Sequence, residues 1–107
     1  MLIEEATDSL KEWFDDWLES NQSYLIKWMV AEDAHEVMGL RDKIYVGHKF
    51  ELQFKDKASQ RIGRILEFGS QDIPKFEFIT HANRFLESIL PKYYDLLFFG
   101  ELVDRFG

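Results

Sequence analysis

The chain of 107 residues has no cysteine, two prolines and six glycines. Without cysteine there is no disulfide framework, no thiolate nucleophile and no cysteine-ligated zinc or iron–sulfur centre. Gly39, Gly47, Gly63 and Gly69 stand singly, so no glycine-rich loop is available to cradle phosphate. No serine stands in a Gly-x-Ser-x-Gly setting that would position it as a nucleophile. The opening segment MLIEEATDSL lacks a basic stretch followed by an apolar run and does not read as a secretory leader. The run from Tyr24 to Ala31 is the longest with few charges; Lys27 interrupts it, and it is far shorter than the roughly 20 apolar residues that span a bilayer. Internal repeats, low-complexity tracts and Gly/Ser/Pro-rich linkers are also missing. These absences predict one domain over residues 1–107, in the cytoplasm and away from membranes.

Basic residues are the scarcer charge, 13 Lys and Arg against 20 Asp and Glu, for a net charge of −7. That balance disfavours broad binding to a phosphate backbone, so direct contact with nucleic acid is not expected. What the chain does have is apolar and aromatic material. Hydrophobic residues make up 46% of it and aromatics 16%, enough to fill a core and to set aside wholesale disorder.

The first helix is clear in the pattern. Ala6, Leu10, Trp13, Phe14, Trp17 and Leu18 recur at the three-to-four spacing of one helical face, with Glu4, Glu5, Asp8, Glu12, Asp15, Asp16 and Glu19 on the other. The Ser20-Asn21-Gln22-Ser23 stretch predicts its end and offers Ser23 as the cap of a second helix over 24–38, stopped by Gly39. Its first half, YLIKWMVA, is apolar all round and would also suit a buried strand. Residues 43–55 alternate strictly: Ile44, Val46, His48, Phe50, Leu52 and Phe54 share one face. A two-residue turn at Gly47-His48 would set Val46 beside Lys49 and Ile44 beside Glu51, so one long strand is predicted. A turn at 56–59 leads to a returning strand over Arg61–Phe68, with Arg64 a misfit on its inner face; a helix over 58–68 capped by Gly69 is the alternative. Phe76, Phe78 and Thr80 mark a third strand. A helix follows from Thr80 or His81 through Phe85, Leu86, Ile89 and Leu90. Another begins at Pro91 and carries Tyr94, Leu97, Phe98, Leu102 and Phe106. The expected fold is therefore α+β, in the order α-α-β-β-β-α-α: an antiparallel three-stranded meander covered by two N-terminal and two C-terminal helices.

Charge is unevenly distributed. Residues 1–40 hold ten acids and two bases, −8; residues 41–64 hold seven bases and three acids, +4; residues 65–107 hold four bases and seven acids, −3. On the first helix Asp8/Glu12, Glu12/Asp16 and Asp15/Glu19 are like charges at i,i+4, each costing the helix about 0.2–0.5 kcal/mol, with Lys11/Asp15 the evident relief. A solvated face that aids solubility explains such a stripe. So does a surface retained to meet a basic partner, since a patch of one sign accelerates and orients encounter. Trp13, Trp17 and Trp28 lie close to it in sequence. At helical spacing on an apolar face they read as core anchors before they read as binding hot spots.

Few other constellations carry chemistry. Glu32 and His35 form one Glu-x-x-His motif, where a di-iron carboxylate site needs two plus further glutamates, so no metal or other cofactor is expected. His48 on an apolar strand face, with Arg64 and Tyr45 near it, would suit a small-molecule or enzyme pocket. Lys49, Lys55, Lys57, Arg61 and Arg64 form a basic segment that suits self-association with the acidic face of a second copy, giving a homodimer. Lysines on a long strand also serve simply to discourage edge-to-edge aggregation.

The leading expectation is a non-enzymatic protein-binding module: an inhibitor of immunity or antitoxin type that neutralises a basic protein, such as a nuclease toxin. Its contact residues would be Asp8, Glu12, Asp15, Asp16, Glu19, Glu32, Asp33 and Glu36. The alternatives are a dimeric adaptor or secretion-chaperone-like protein, and an enzyme or small-molecule-binding domain with its pocket near His48.

Overall fold

The computed structural model describes residues 2–28, 31–71 and 73–92. The class is α+β. Helices α1 (Leu2–Trp28) and α2 (Ala31–Gly39) lead through a 3₁₀ turn (Leu40–Asp42) to strands β1 (Ile44–Val46) and β2 (Leu52–Phe54), followed by helices α3 (Lys57–Phe68) and α4 (Phe78–Ile89).

Helix α1 is longer than its sequence suggests. It runs unbroken for 27 residues through the Ser-Asn-Gln-Ser stretch expected to end it. Serine and asparagine cost an interior turn only a few tenths of a kcal/mol each relative to alanine, and no Gly or Pro is present to break it. Asn21 turns its side chain back onto the helix, Nδ2 donating to the Trp17 carbonyl at 2.8 Å. Continuation also carries Leu25 into the core. Ser23 is therefore mid-helix, and the expected helix over 24–38 divides between the end of α1 and the shorter α2. Gly39 does not adopt the left-handed cap conformation; it stays right-handed at φ −71°, ψ −11° and passes directly into the 3₁₀ turn.

The single long strand is instead a hairpin, and the sheet has two strands among the described residues, not three. β1 and β2 pair antiparallel with Ile44 opposite Phe54, Tyr45 opposite Gln53 and Val46 opposite Leu52. Gly47 N–H donates to the Glu51 carbonyl at 2.8 Å and Phe50 N–H to the Gly47 carbonyl at 3.0 Å, closing a turn over His48, Lys49 and Phe50. The pattern that excludes a two-residue turn is satisfied by this longer one, because Ile44, Val46, Leu52 and Phe54 stay on one face. Phe50 completes the turn in the left-handed region at φ 58°. Both outer edges of the hairpin are covered by helix side chains. Val46 N–H donates to Thr7 Oγ1 of α1 at 3.0 Å, and Leu52 N–H donates to Asn83 Oδ1 of α4 at 2.8 Å.

The expected returning strand over Arg61–Phe68 is helix α3. Asp56 caps it by accepting from Ser59 N–H at 2.7 Å, and Gly69 ends it at φ 77°. Ser59, Ile62, Gly63 and Leu66 form its buried stripe, and Arg64, a misfit in a strand, faces outward. Gly63 packs directly beneath the Phe54 ring, where a Cβ would collide. The expected third strand over Phe76–Thr80 is absent: Phe78 opens α4, two to three residues before the predicted helix start. The helix expected from Pro91, with Tyr94, Leu97, Phe98, Leu102 and Phe106, lies outside the described residues beyond Lys92.

The core is built on α1. Ala6, Leu10, Phe14 and Trp17 meet Ile44 and Val46 of the hairpin, Ile62 and Leu66 of α3, and Phe78, Ala82 and Leu86 of α4. Phe78 stands edge-on to Trp17 at 4.8 Å between ring centroids and to Phe14 at 5.9 Å.

Candidate protein-binding face

On α1 the acids and the core residues occupy opposite sides. Ala6, Leu10, Phe14 and Trp17 are buried, whereas Asp8, Glu12, Asp15, Asp16 and Glu19 are all exposed. The helix period of 3.6 residues gathers these five carboxylates into one stripe along the solvent side. Glu36 is exposed on α2. Glu32 and Asp33 lie on α2 as well, but their side chains fall outside what is described.

One member of the stripe is neutralised from an unexpected quarter. Asp15 does not pair with Lys11 among the described residues; Arg41, from the turn after α2, donates Nε to both Asp15 oxygens at 3.0 and 3.1 Å. Both groups are about half exposed, so the pair is worth about 0.2–1 kcal/mol. Asp8, Glu12, Asp16 and Glu19 have no ion pair among the described residues. Successive members stand three or four residues apart, about one turn, and their repulsion is not offset by an ion pair among the described residues.

Trp13 and Trp17 support this face from the core side, bordering it beside Asp16. Trp17 is buried, and Trp13 is half-buried on the core rim, 5.7 Å from Phe78 and 6.0 Å from Phe85 between ring centroids. The side chain of Trp28 falls outside what is described. The stripe thus sits on a helix whose opposite side is held by a contiguous aromatic cluster, a rigid mount for charged groups.

The fold divides the basic segment between the hairpin and α3. Lys49 sits in the hairpin turn and Lys55 follows β2, while Lys57, Arg61 and Arg64 line the solvent side of α3. Phe68 lies on that same side and is 75% exposed, the most exposed of the large hydrophobic residues among those described. Sequence reading missed this aromatic because it placed Phe68 inside a strand; the signal was the helical spacing of Lys57, Arg61, Arg64 and Phe68. A different cation, Lys43, reaches Asp56 at 3.2 Å. The Ser59 backbone and side-chain hydrogen bonds, with Lys43 beside them, hold the Asp56 carboxyl at a pKa of about 2.

Compared with known proteins, the chain matches no family, no curated protein and no solved structure at a significant level.

The other constellations do not converge. His48 is exposed in the hairpin turn and lines an open depression with Ile3, Tyr45 and Glu51, but Arg64 lies on the outer face of α3, in a different depression with Lys57, Arg61 and Phe68. The trio of His48, Tyr45 and Arg64 is therefore not brought into one pocket. Glu51 Oε1 accepts from Gln53 Nε2 at 2.9 Å, while its Oε2 is shielded from solvent with no partner among the described residues. Among the described residues no three His, Asp or Glu side chains are placed to share a metal ion. No described helix is long and apolar enough to cross a membrane.

Proposed function

We propose that this chain is a non-enzymatic protein-binding module, an inhibitor of immunity or antitoxin type, whose acidic α1 stripe occupies a basic protein surface such as the substrate groove of a nuclease. One observation carries the reading. Asp8, Glu12, Asp16 and Glu19 project from the side of α1 opposite the core with no ion pair among the described residues, although like charges at this spacing cost the helix about 0.2–0.5 kcal/mol per pair. A basic partner would relieve that repulsion and would be drawn in by the long-range field of the stripe.

The test is inhibition of a panel of basic nuclease domains by the wild-type chain and by a variant with Asp8, Glu12, Asp16 and Glu19 all changed to Lys. Asp15 is left intact because it holds Arg41. Wild-type chain is expected to inhibit at least one member, faster at low salt, and the reversed variant to lose that inhibition while keeping its helical circular dichroism. Equal inhibition by both chains overturns the role of the face.

A second reading, a dimeric adaptor or chaperone-like protein, has one observation in its favour: the exposed Phe68 set among cations on α3.

A further inference from the structure

The solvent side of α3 carries Lys57, Arg61, Arg64 and Phe68, four residues at offsets of 0, 4, 7 and 11 along the helix. Asp8, Glu12, Asp15 and Glu19 on α1 stand at the same offsets of 0, 4, 7 and 11. Each set lies opposite the buried stripe of its own helix: Ser59, Ile62, Gly63 and Leu66 on α3, and Ala6, Leu10, Phe14 and Trp17 on α1. The two stripes therefore match in pitch, are opposite in charge, and both point away from the core. They cannot meet within one chain without unpacking it.

We propose that the α3 stripe is a self-docking surface that receives the acidic α1 stripe of a second copy of this chain. The set of offsets is its own mirror image, so it fits in either helix direction. The antiparallel direction is preferred because it sets the two helix dipoles against each other. Lys57 then lies opposite Glu19, Arg61 opposite Asp15 and Arg64 opposite Glu12, while Phe68 anchors the end of the contact near Asp8. Lys57, Arg61 and Arg64 have no ion pair among the described residues, and neither do Glu12 and Glu19 opposite them; Asp15 is already held by Arg41, so Arg61 shares or replaces that contact. Nucleic acid is a poorer occupant of this face, since the chain is at −7 overall and the stripe offers one aromatic for stacking. The two contact surfaces differ, so the contact is heterologous: it closes where two copies exchange stripes and propagates where they do not. It shares the acidic stripe with the function proposed above, and self-docking would hold that stripe covered until a basic partner displaces it.

Sedimentation velocity on the full chain decides the matter. At low ionic strength the weight-average mass is expected to rise above the monomer value of 12.8 kDa as concentration increases. It should return to that value in about 1 M salt, where the Debye length falls to about 3 Å. The triple reversal Lys57→Glu, Arg61→Glu, Arg64→Glu is expected to be monomeric, and so is Asp8→Lys, Glu12→Lys, Glu19→Lys. An equimolar mixture of the two should associate again, because the acidic α3 of one then meets the basic α1 of the other. Phe68→Ala, which leaves the charge untouched, is expected to weaken self-association about tenfold. A wild-type chain that stays monomeric at every concentration and salt overturns the proposal, as does self-association that survives the α3 reversal. Nuclease inhibition by the α3-reversed chain reports separately on the α1 function, because that variant keeps every α1 carboxylate.

Discussion

At the scale of single residues, the side chains that shape this protein are those placed against the usual preference for their position. Phe50 adopts φ 58° in the hairpin turn, a region that costs a non-glycine residue about 1–2 kcal/mol, and its ring compensates by packing against the core. A glycine or asparagine there would have announced a three-residue turn; a phenylalanine, continuing the apolar alternation, disguises it as strand. Asp56 is the opposite case, a residue suited to its place, and its α3 capping role is tied to pH. Its folded pKa of about 2 lies below the ordinary value of 3.8, so its stabilisation is complete above that value and is lost as pH falls through the folded pKa. Thermal melts from pH 5 down to about 2 are expected to show a falling midpoint, shallower in Asp56→Asn, which keeps a capping oxygen but cannot titrate.

At the scale of elements, a helix start is supplied locally in one case and by a distant side chain in another, Asp56 for α3 and Glu67 for α4. Helix α4 begins after Glu77, itself left-handed at φ 53° and making no side-chain cap. Its first turn is capped instead from α3: Glu67 accepts from Thr80 N–H at 2.6 Å and from Thr80 Oγ1 at 2.7 Å. Hydrogen bonds to a charged acceptor are worth about 1.5–3 kcal/mol each, so Glu67→Ala is expected to lower stability by about 2 kcal/mol in urea denaturation, and Glu67→Gln by less. A capping residue 13 positions upstream of the Thr80 it holds leaves no signature in the local sequence. For this reason Phe76, Phe78 and Thr80 read as an alternating strand, whereas Phe78 is the first residue of α4. The strand reading of Arg61–Phe68 fails differently. Asp56, Ser59 and Gly69 carried both boundary signals of a helix there, and the Arg64 misfit already counted against a strand.

At the scale of the whole molecule, two helices make opposite use of one design. Each has one side sealed into the core and carries charge of one sign on the other, acidic on α1 and basic on α3. The sealing is aromatic: Phe78 touches Trp13, Phe14 and Trp17, all from α1. Phe78→Ala is expected to cost about 3–5 kcal/mol in equilibrium unfolding and to loosen the mount of the acidic stripe together with the fold. The polarised charge map of −8, +4 and −3 was legible in the sequence, as was the acidic stripe on the first helix. The Arg41 contact that neutralises Asp15 was not, because the two residues are 26 positions apart and meet only when the end of α2 folds back on α1.

What the sequence determined by itself was the material of each face: the α+β class, the amphipathic first helix, the apolar alternation across 44–54 and the segregation of charge. All of these follow from periodicity, which needs only neighbours within a few residues. Tertiary structure decided where the chain turns and which groups lie free. The hairpin turn at His48–Phe50, the passage of α1 through Ser20–Ser23 and the capping of α4 by Glu67 depend on burial and hydrogen bonds between distant segments, and no local pattern encodes those. The same contacts took Asp15 out of the set of unpaired carboxylates and left Phe68 standing in solvent beside three cations.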